Sequence, residues 1–138
     1  MRTFPLVDNA WLIRLDYGEE FTAALIAFSR AKKIHGAVFH GQGALKGPVL
    51  AYYDLKKKRY IERRFRGLYE AAGMTGNLAM FARVPAIHCH VVIGDKRFRA
   101  YAGHLVRSRV GGTLEIVLEK TRSLKRLRDG RTGLNLLA

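Results

Sequence analysis

One cysteine, three prolines and eleven acidic side chains against twenty-five basic ones set the outer limits of this 138-residue chain. With Cys89 alone no intramolecular disulfide can form, and a reducing compartment, the cytoplasm, is expected. No apolar run approaches the roughly 18 residues needed to cross a bilayer. The N-terminal MRTFPLVDNAW carries Asp8 and no long apolar stretch, so the chain reads as soluble and unprocessed. Internal repeats and low-complexity segments are also missing. Gly41 and Gly43 suggest a phosphate-binding loop, but no Gly-Lys-Ser or Gly-Lys-Thr follows them and the next element reads as a strand. A bulge, or a close approach of backbone, is the better reading of that pair.

What is present favours one packed domain. Hydrophobic residues make up 49% of the chain, too many for a disordered polypeptide, and the length leaves no room for a second core. The formal charge of +14 is unevenly placed. Residues 1–40 carry five basic and four acidic groups, whereas Lys56 to Arg66 holds seven positive charges against Glu62 alone. From Lys120 onward six more stand against Asp129. Such clustering points to a polyanionic partner, nucleic acid first and an anionic membrane surface second, with a merely solvated face as the alternative. Phosphate contacts would fall to Lys56, Lys57, Lys58, Arg59, Arg63 and Arg64, and in the tail to Arg122, Lys125, Arg126 and Arg128. Contacts of this kind give affinity without sequence choice.

The stretch AIHCHVVIGDKRFRAYAGHL, Ala86 to Leu105, reads as a β-hairpin bearing three histidines. His88 and His90 are two apart and share one face of a strand, while Cys89 points to the other, as a buried structural thiol. Loop parity decides where His104 goes. An odd loop, 94–98 for example, sets His104 opposite His88 on the same face, where the imidazoles could share a metal; an even loop sends it to the other side.

The remaining elements follow from periodicity. Ala10 to Asp16 alternates as a first strand. Phe21, Ala24, Leu25 and Phe28 fall at helical spacing behind Glu19 and Glu20, with Lys32 and Lys33 near the C-terminus and Gly36 as the stop. Strands are expected from Ala37, at Pro48 to Asp54, at Tyr60 to Phe65 and, bent by glycines, over 67–79. The histidine hairpin and a final strand from Ser108 to Glu119 follow. The tail from Lys120 is open between a short basic helix, packing on a neighbouring subunit, and disorder. One helix and seven or eight mostly antiparallel strands define an α+β domain over 1–119 with a basic tail over 120–138.

The order RLDYGEEFTAALIAFSR, GQGALKGPVLAYYD, FRGLYEAAGMTGNLA, IHCHVVIGDKRFRAYAGHL and VGGTLEIVL resembles the plants-and-prokaryotes-conserved (PPC) domain over roughly residues 10–119. The resemblance implies a strongly bent, mostly antiparallel sheet with one main helix, assembled as a homotrimer. It also implies a divalent metal, zinc, at His88, His90 and His104. His40 departs from the small polar residue expected there. The stretch Arg66 to Ala71 corresponds to one that serves partner contacts in plant members, but its residues differ. Plant members join the domain to AT-hooks, whose Gly-Arg-Pro core is absent: Asp129-Gly130-Arg131-Thr132 lacks the proline. DNA binding would therefore rest on basic charge alone.

Three readings of function follow. The first is a small trimeric metal-binding domain with a basic, nucleic-acid-engaging surface, a DNA-binding or regulatory protein. The second is a zinc-dependent enzyme acting on a small substrate at the histidines, which would need a general base such as Glu70 or Glu115 brought close by the fold. The third is a protein-interaction scaffold with a structural metal.

Overall fold

The computed structural model describes residues 1–138. Its elements are β1 (Arg2–Pro5), β2 (Ala10–Leu15), α1 (Phe21–Ala31), β3 (Gly36–Asp54), β4 (Arg59–Arg64), β5 (Leu68–Phe81), β6 (Val84–Gly94), β7 (Ala100–Lys120), β8 (Arg126–Arg128) and β9 (Asn135–Leu137). Strands β1 to β7 make one sheet in the order β1-β2-β7-β6-β5-β3-β4, and β8 pairs with β9 in a second, two-stranded sheet. Every strand pair is antiparallel. The α+β class with one helix on a bent antiparallel sheet is thus as expected.

Two strands are longer than their sequence suggested. The separate segments expected from Ala37 and at Pro48 to Asp54 are one 19-residue strand, β3. The return strand of the histidine hairpin runs without a break into the strand expected at Ser108, giving the 21 residues of β7. The reading breaks β3 at Lys46–Gly47 and β7 at Val106–Arg107, and both are places where the register of β3 against β7 slips, not strand ends. Strand β3 also pairs with β7, so β3, β5, β6 and β7 close into a cycle and the sheet curls round its own core. The N-terminal β1 has no mark in the sequence, because Arg2 to Pro5 is exposed throughout and has no alternation to betray it.

The helix packs against the inside of this curl. Glu20 caps it, accepting the Ala23 N–H at 2.7 Å, so Glu19 and Glu20 precede the first turn rather than occupy it. Helical structure ends at Ala31, and Gly36 opens β3 instead of closing α1. Phe21, Leu25 and Phe28 are buried, the stripe that the spacing predicts. Phe21 meets Phe39 of β3 edge-on with ring centroids 6.0 Å apart, and Phe28 meets Trp11 of β2 at 5.6 Å. Each such fully buried side chain contributes about 1.5–3 kcal/mol.

The tail is ordered as a hairpin, β8 and β9, and not as a helix. It is fastened to the β3–β4 hairpin: the Tyr53 hydroxyl donates to the Thr132 carbonyl at 2.6 Å and Lys58 Nζ to the Gly130 carbonyl at 2.8 Å.

At Gly41 and Gly43, where the register of β3 against β5 slips, β3 also runs close against β7. Gly43 has φ +141, and a Cβ there would stand 2.8 Å from Leu114 Cα. Replacing Gly43 by alanine is expected to cost about 2–4 kcal/mol, since strain and a backbone collision coincide. Denaturant unfolding measures it, and a loss below about 0.5 kcal/mol would mean that the crossing is looser than its geometry.

Candidate metal centre

The hairpin loop holds five residues, Asp95 to Arg99, between the paired ends Gly94 and Ala100. Asp95 organises it. Its Oδ1 accepts the N–H groups of Arg97 and Arg99 at 2.8 and 3.1 Å, and its Oδ2 accepts Arg99 Nε and Nη2 at 2.8 and 2.6 Å. Phe98 sits at φ +60 to complete the reversal. Five is odd, so His104 shares a face with His88 and His90. The register pairs His104 with His90, two residues along from the illustrated pairing with His88. A shift of two keeps the face and changes only the neighbour.

Cross-strand partners continue from there. His104, His90, Thr75, His40, Val117 and Leu12 form one lateral row over five strands, and His88 stands in the next row beside Asn77. The three imidazoles of the hairpin gather closely. Ring centroids are 5.2 Å apart for His88–His90 and His88–His104, and 5.6 Å for His90–His104. One nitrogen from each lies within 4.8 Å of the others. Tetrahedral zinc needs its ligand nitrogens about 3.4 Å apart, within small rotations of these rings. His40 shares the row, but Thr75 separates it from His90, and it is not part of the cluster. Cys89 is buried on the opposite face, where burial pushes its thiol up to about 12.

The surroundings favour uncharged imidazole. Burial lowers the His88 pKa to about 4, helped by the nearby charges of His104, Arg126 and His90. His104 is lowered for the same reasons, burial first and then His90 and Arg126. Its Nδ1 is buried and has no hydrogen-bond partner. A neutral nitrogen lone pair kept from water without a donor is costly unless something accepts it, and a cation would. Tyr60 of β4 stacks on the His104 ring at 5.3 Å. Arg126, from β8, donates through Nη2 to Asn77 Oδ1 at 2.5 Å and through Nη1 to the Asn135 carbonyl at 2.8 Å. Tyr60, Asn77 and Arg126 have no mark in the sequence as neighbours of the histidines, because long-range pairing alone brings them there.

No carboxylate joins the three histidines. Glu70 pairs with Gly94, four residues along β6 from His90, or about 13 Å at the usual rise. Glu115 lines the same cavity as His90, about 710 Å³ in volume together with His40, Gln42 and Thr75. It pairs with Gln42, three strands across from β6, or about 14 Å.

The other expected site residues divide between β4 with its turn and the tail, whose first part, around Arg122 and Lys125, lies against His35, Gly36 and Met80. Lys56, Lys57 and Lys58 form the β3–β4 turn, and Arg59, Arg63 and Arg64 lie on β4, an edge strand exposed along its whole length. The tail hairpin docks beside them, so the two basic clusters of the sequence meet. Lys58 and Arg126 are held by tail and sheet carbonyls, and Arg63 lies over the rings of Phe65 and Tyr101. Lys56, Arg59, Arg64, Arg122, Lys125 and Arg128 make no ion pair, while Lys57 approaches Asp54 at 3.9 Å.

Comparison with known proteins adds context to this geometry. A family model described as the Plants and Prokaryotes Conserved (PCC) domain matches residues 3–122. Among solved structures, a plant- and prokaryote-conserved protein of Pyrococcus horikoshii is 30% identical, with a TM-score of 0.88 over 94% of this chain and 90% of that one. A protein of Archaeoglobus fulgidus described as metal-containing is 32% identical, with a TM-score of 0.88 over 100% and 99% of the two chains. A candidate DNA-binding protein of Bacteroides thetaiotaomicron is 27% identical, with a TM-score of 0.93 over 99% and 96%. No curated protein matches.

The lowered His88 pKa carries a sign. In metal-free protein the folded state resists a proton that the unfolded chain accepts, so this contribution is intact above about pH 6.5 and is lost as pH falls toward about 4. Asp16, Asp95 and Asp129, all held below 3.8, act at lower pH. Thermal melts in chelator are expected to show a midpoint falling across that window, and His88→Gln should flatten it. An equally steep fall in the variant would place the sensitivity elsewhere.

Proposed function

The chain belongs to the Plants and Prokaryotes Conserved domain family, and from that premise we propose that it is a homotrimeric, zinc-binding domain whose basic side engages nucleic acid. The convergence of three imidazoles, with His104 Nδ1 buried and unpartnered, carries the metal assignment. Nitrogen donors without carboxylate or thiolate suit zinc, and His88, His90 and His104 would hold it with a fourth position open. The Archaeoglobus relative, described as metal-containing, supports this reading. The Bacteroides relative and the unpaired cations of β4 and the tail support nucleic-acid binding. The lone buried thiol of Cys89 fits a reducing cytoplasm, and no helix is long and apolar enough to cross a membrane. For the trimer, the family is the warrant; the exposed Val38 and Val92 on the histidine face supply apolar surface for it.

A zinc-dependent enzyme is the second reading, favoured by the cavity that adjoins His90. Bound zinc would supply a Lewis acid at that wall. Glu115 is not among the groups that converge at the histidines, so its role would be to hold the distal end of a substrate.

Elemental analysis of purified protein is expected to give one zinc per chain, lost in His88→Ala, His90→Ala and His104→Ala while light scattering still reports three chains. Full metal content in the variants would remove the site. Duplex DNA affinity should fall steeply with salt, and the double variant Lys56→Gln/Lys57→Gln should reduce the log–log slope by roughly 2. A slope unchanged by the substitutions would place the nucleic acid elsewhere.

A further inference from the structure

We propose that a cleft in the middle of β3, on no part of the histidine site, binds a small molecule bearing two or more phosphates. The cleft exists because β3 changes partner. Up to Lys46 it pairs with β5, and from Val49 it pairs with β4; its register against β7 slips at the same point. Gly47 at φ +63 and Gly67 at φ +95 take the two sharp turns that this needs, and the Gly47 N–H donates to the Gly67 carbonyl at 2.9 Å. The space left is about 680 Å³, a usual size for a small-ligand site.

Half of its ten lining residues are cationic. Lys46, Arg64, Arg66, Arg107 and Arg109 surround it, with Glu20 as the one acid. Register makes this crowding unavoidable: Arg64 and Arg107 flank Val49, and Lys46 faces Arg109 directly. Like charges on adjacent strands destabilise a sheet unless something offsets them. The protein offers little. Glu20 is turned to the helix, where it accepts the Ala23 N–H, and Glu62 reaches only Arg107, at 3.8 Å. Lys46 Nζ donates to the Tyr17 hydroxyl and Arg109 Nη1 to the Gly18 carbonyl, each at 2.8 Å. These neutral acceptors fix the two cations in place without neutralising them. Lys46, Arg64, Arg66 and Arg109 make no ion pair.

Concavity selects the ligand class. Donors converge from β3, β4, β7 and the β4–β5 connection onto one open concavity, whereas a duplex presents its phosphates along a line on a convex surface. A single phosphate brings a charge of about −2, and two opposed rows of cations exceed what it can satisfy. Arginine forks also favour bidentate contact with phosphate oxygens. A di- or triphosphate-bearing metabolite matches the charge and the volume.

Calorimetric titration of the full chain with inorganic tripolyphosphate tests this, with orthophosphate in parallel and zinc absent, so that failure of the metal reading leaves it untouched. One tripolyphosphate per chain is expected, bound at least tenfold more tightly than orthophosphate. Arg64→Gln and Arg66→Gln, both exposed and outside the core, should each weaken it about tenfold. Arg30→Gln/Lys32→Gln, at the far end of α1, should leave it unchanged. No binding, or equal weakening in all variants, would reduce the cleft to diffuse charge and overturn the proposal. So would a short DNA duplex that binds through Arg64 and Arg66 and is not displaced by saturating tripolyphosphate, which would make the cleft part of a nucleic-acid track.

Discussion

The pairing of β3 with β7 is the constraint from which the other features descend. Two strands of 19 and 21 residues lie antiparallel, and each is long enough to serve two different neighbours along its outer edge. Strand β7 gives one end to β2 and the other to β6; β3 gives one end to β5 and the other to β4. A flat sheet cannot satisfy those four edges together with the β5–β6 pairing. Curling does, and the concave side so produced is where α1 lays Phe21, Leu25 and Phe28. At the first slip of the two long strands Gly43 and Gly111 appear, because backbone there approaches backbone.

That geometry also distributes chemistry. Apolar residues fill the inside, so the polar residues of the central strands are forced into lateral rows on the outside, and histidines from three strands share one of them. Burial beneath Tyr60 and beside Arg126 then weakens the hold of His88 and His104 on a proton that would make the rings repel. The same pairing assembles two unlike polar centres on one small sheet. One has lone pairs in want of a cation, and the other has cations in want of an anion.

How much of this the sequence discloses depends on the range of the interaction involved. The helix, the histidine face and the basic edge are local and were legible: Phe21 to Phe28 at helical spacing, His88 and His90 two apart, and Lys56 to Arg64 as a run of charge. Residues that act through distant partners were not. Arg126 reads as one more tail cation, yet it reaches Asn77, 49 positions away. Lys46, Arg107 and Arg109 are unremarkable along the chain and meet only because β3 and β7 cross. Strand ends misled for a related reason. The breaks read at Lys46–Gly47 and at Val106–Arg107 are register slips, and the long pairing with a partner carries the strands through them. The tail's order is likewise tertiary, since nothing local fixes β8 and β9 without the bonds from Tyr53 and Lys58.

The five-residue tip from Asp95 to Arg99 makes length a quantised variable. Adding or deleting one residue there, with β7 held in place by β3, would turn His88 and His90 into the core and Cys89 outward, so two of the three site histidines would leave together. A change of two would leave every side chain on its proper face and merely slide the pair along His104. Related chains that keep a metal at this face should therefore differ at the tip by even numbers, or by an odd number matched with a bulge further along β6.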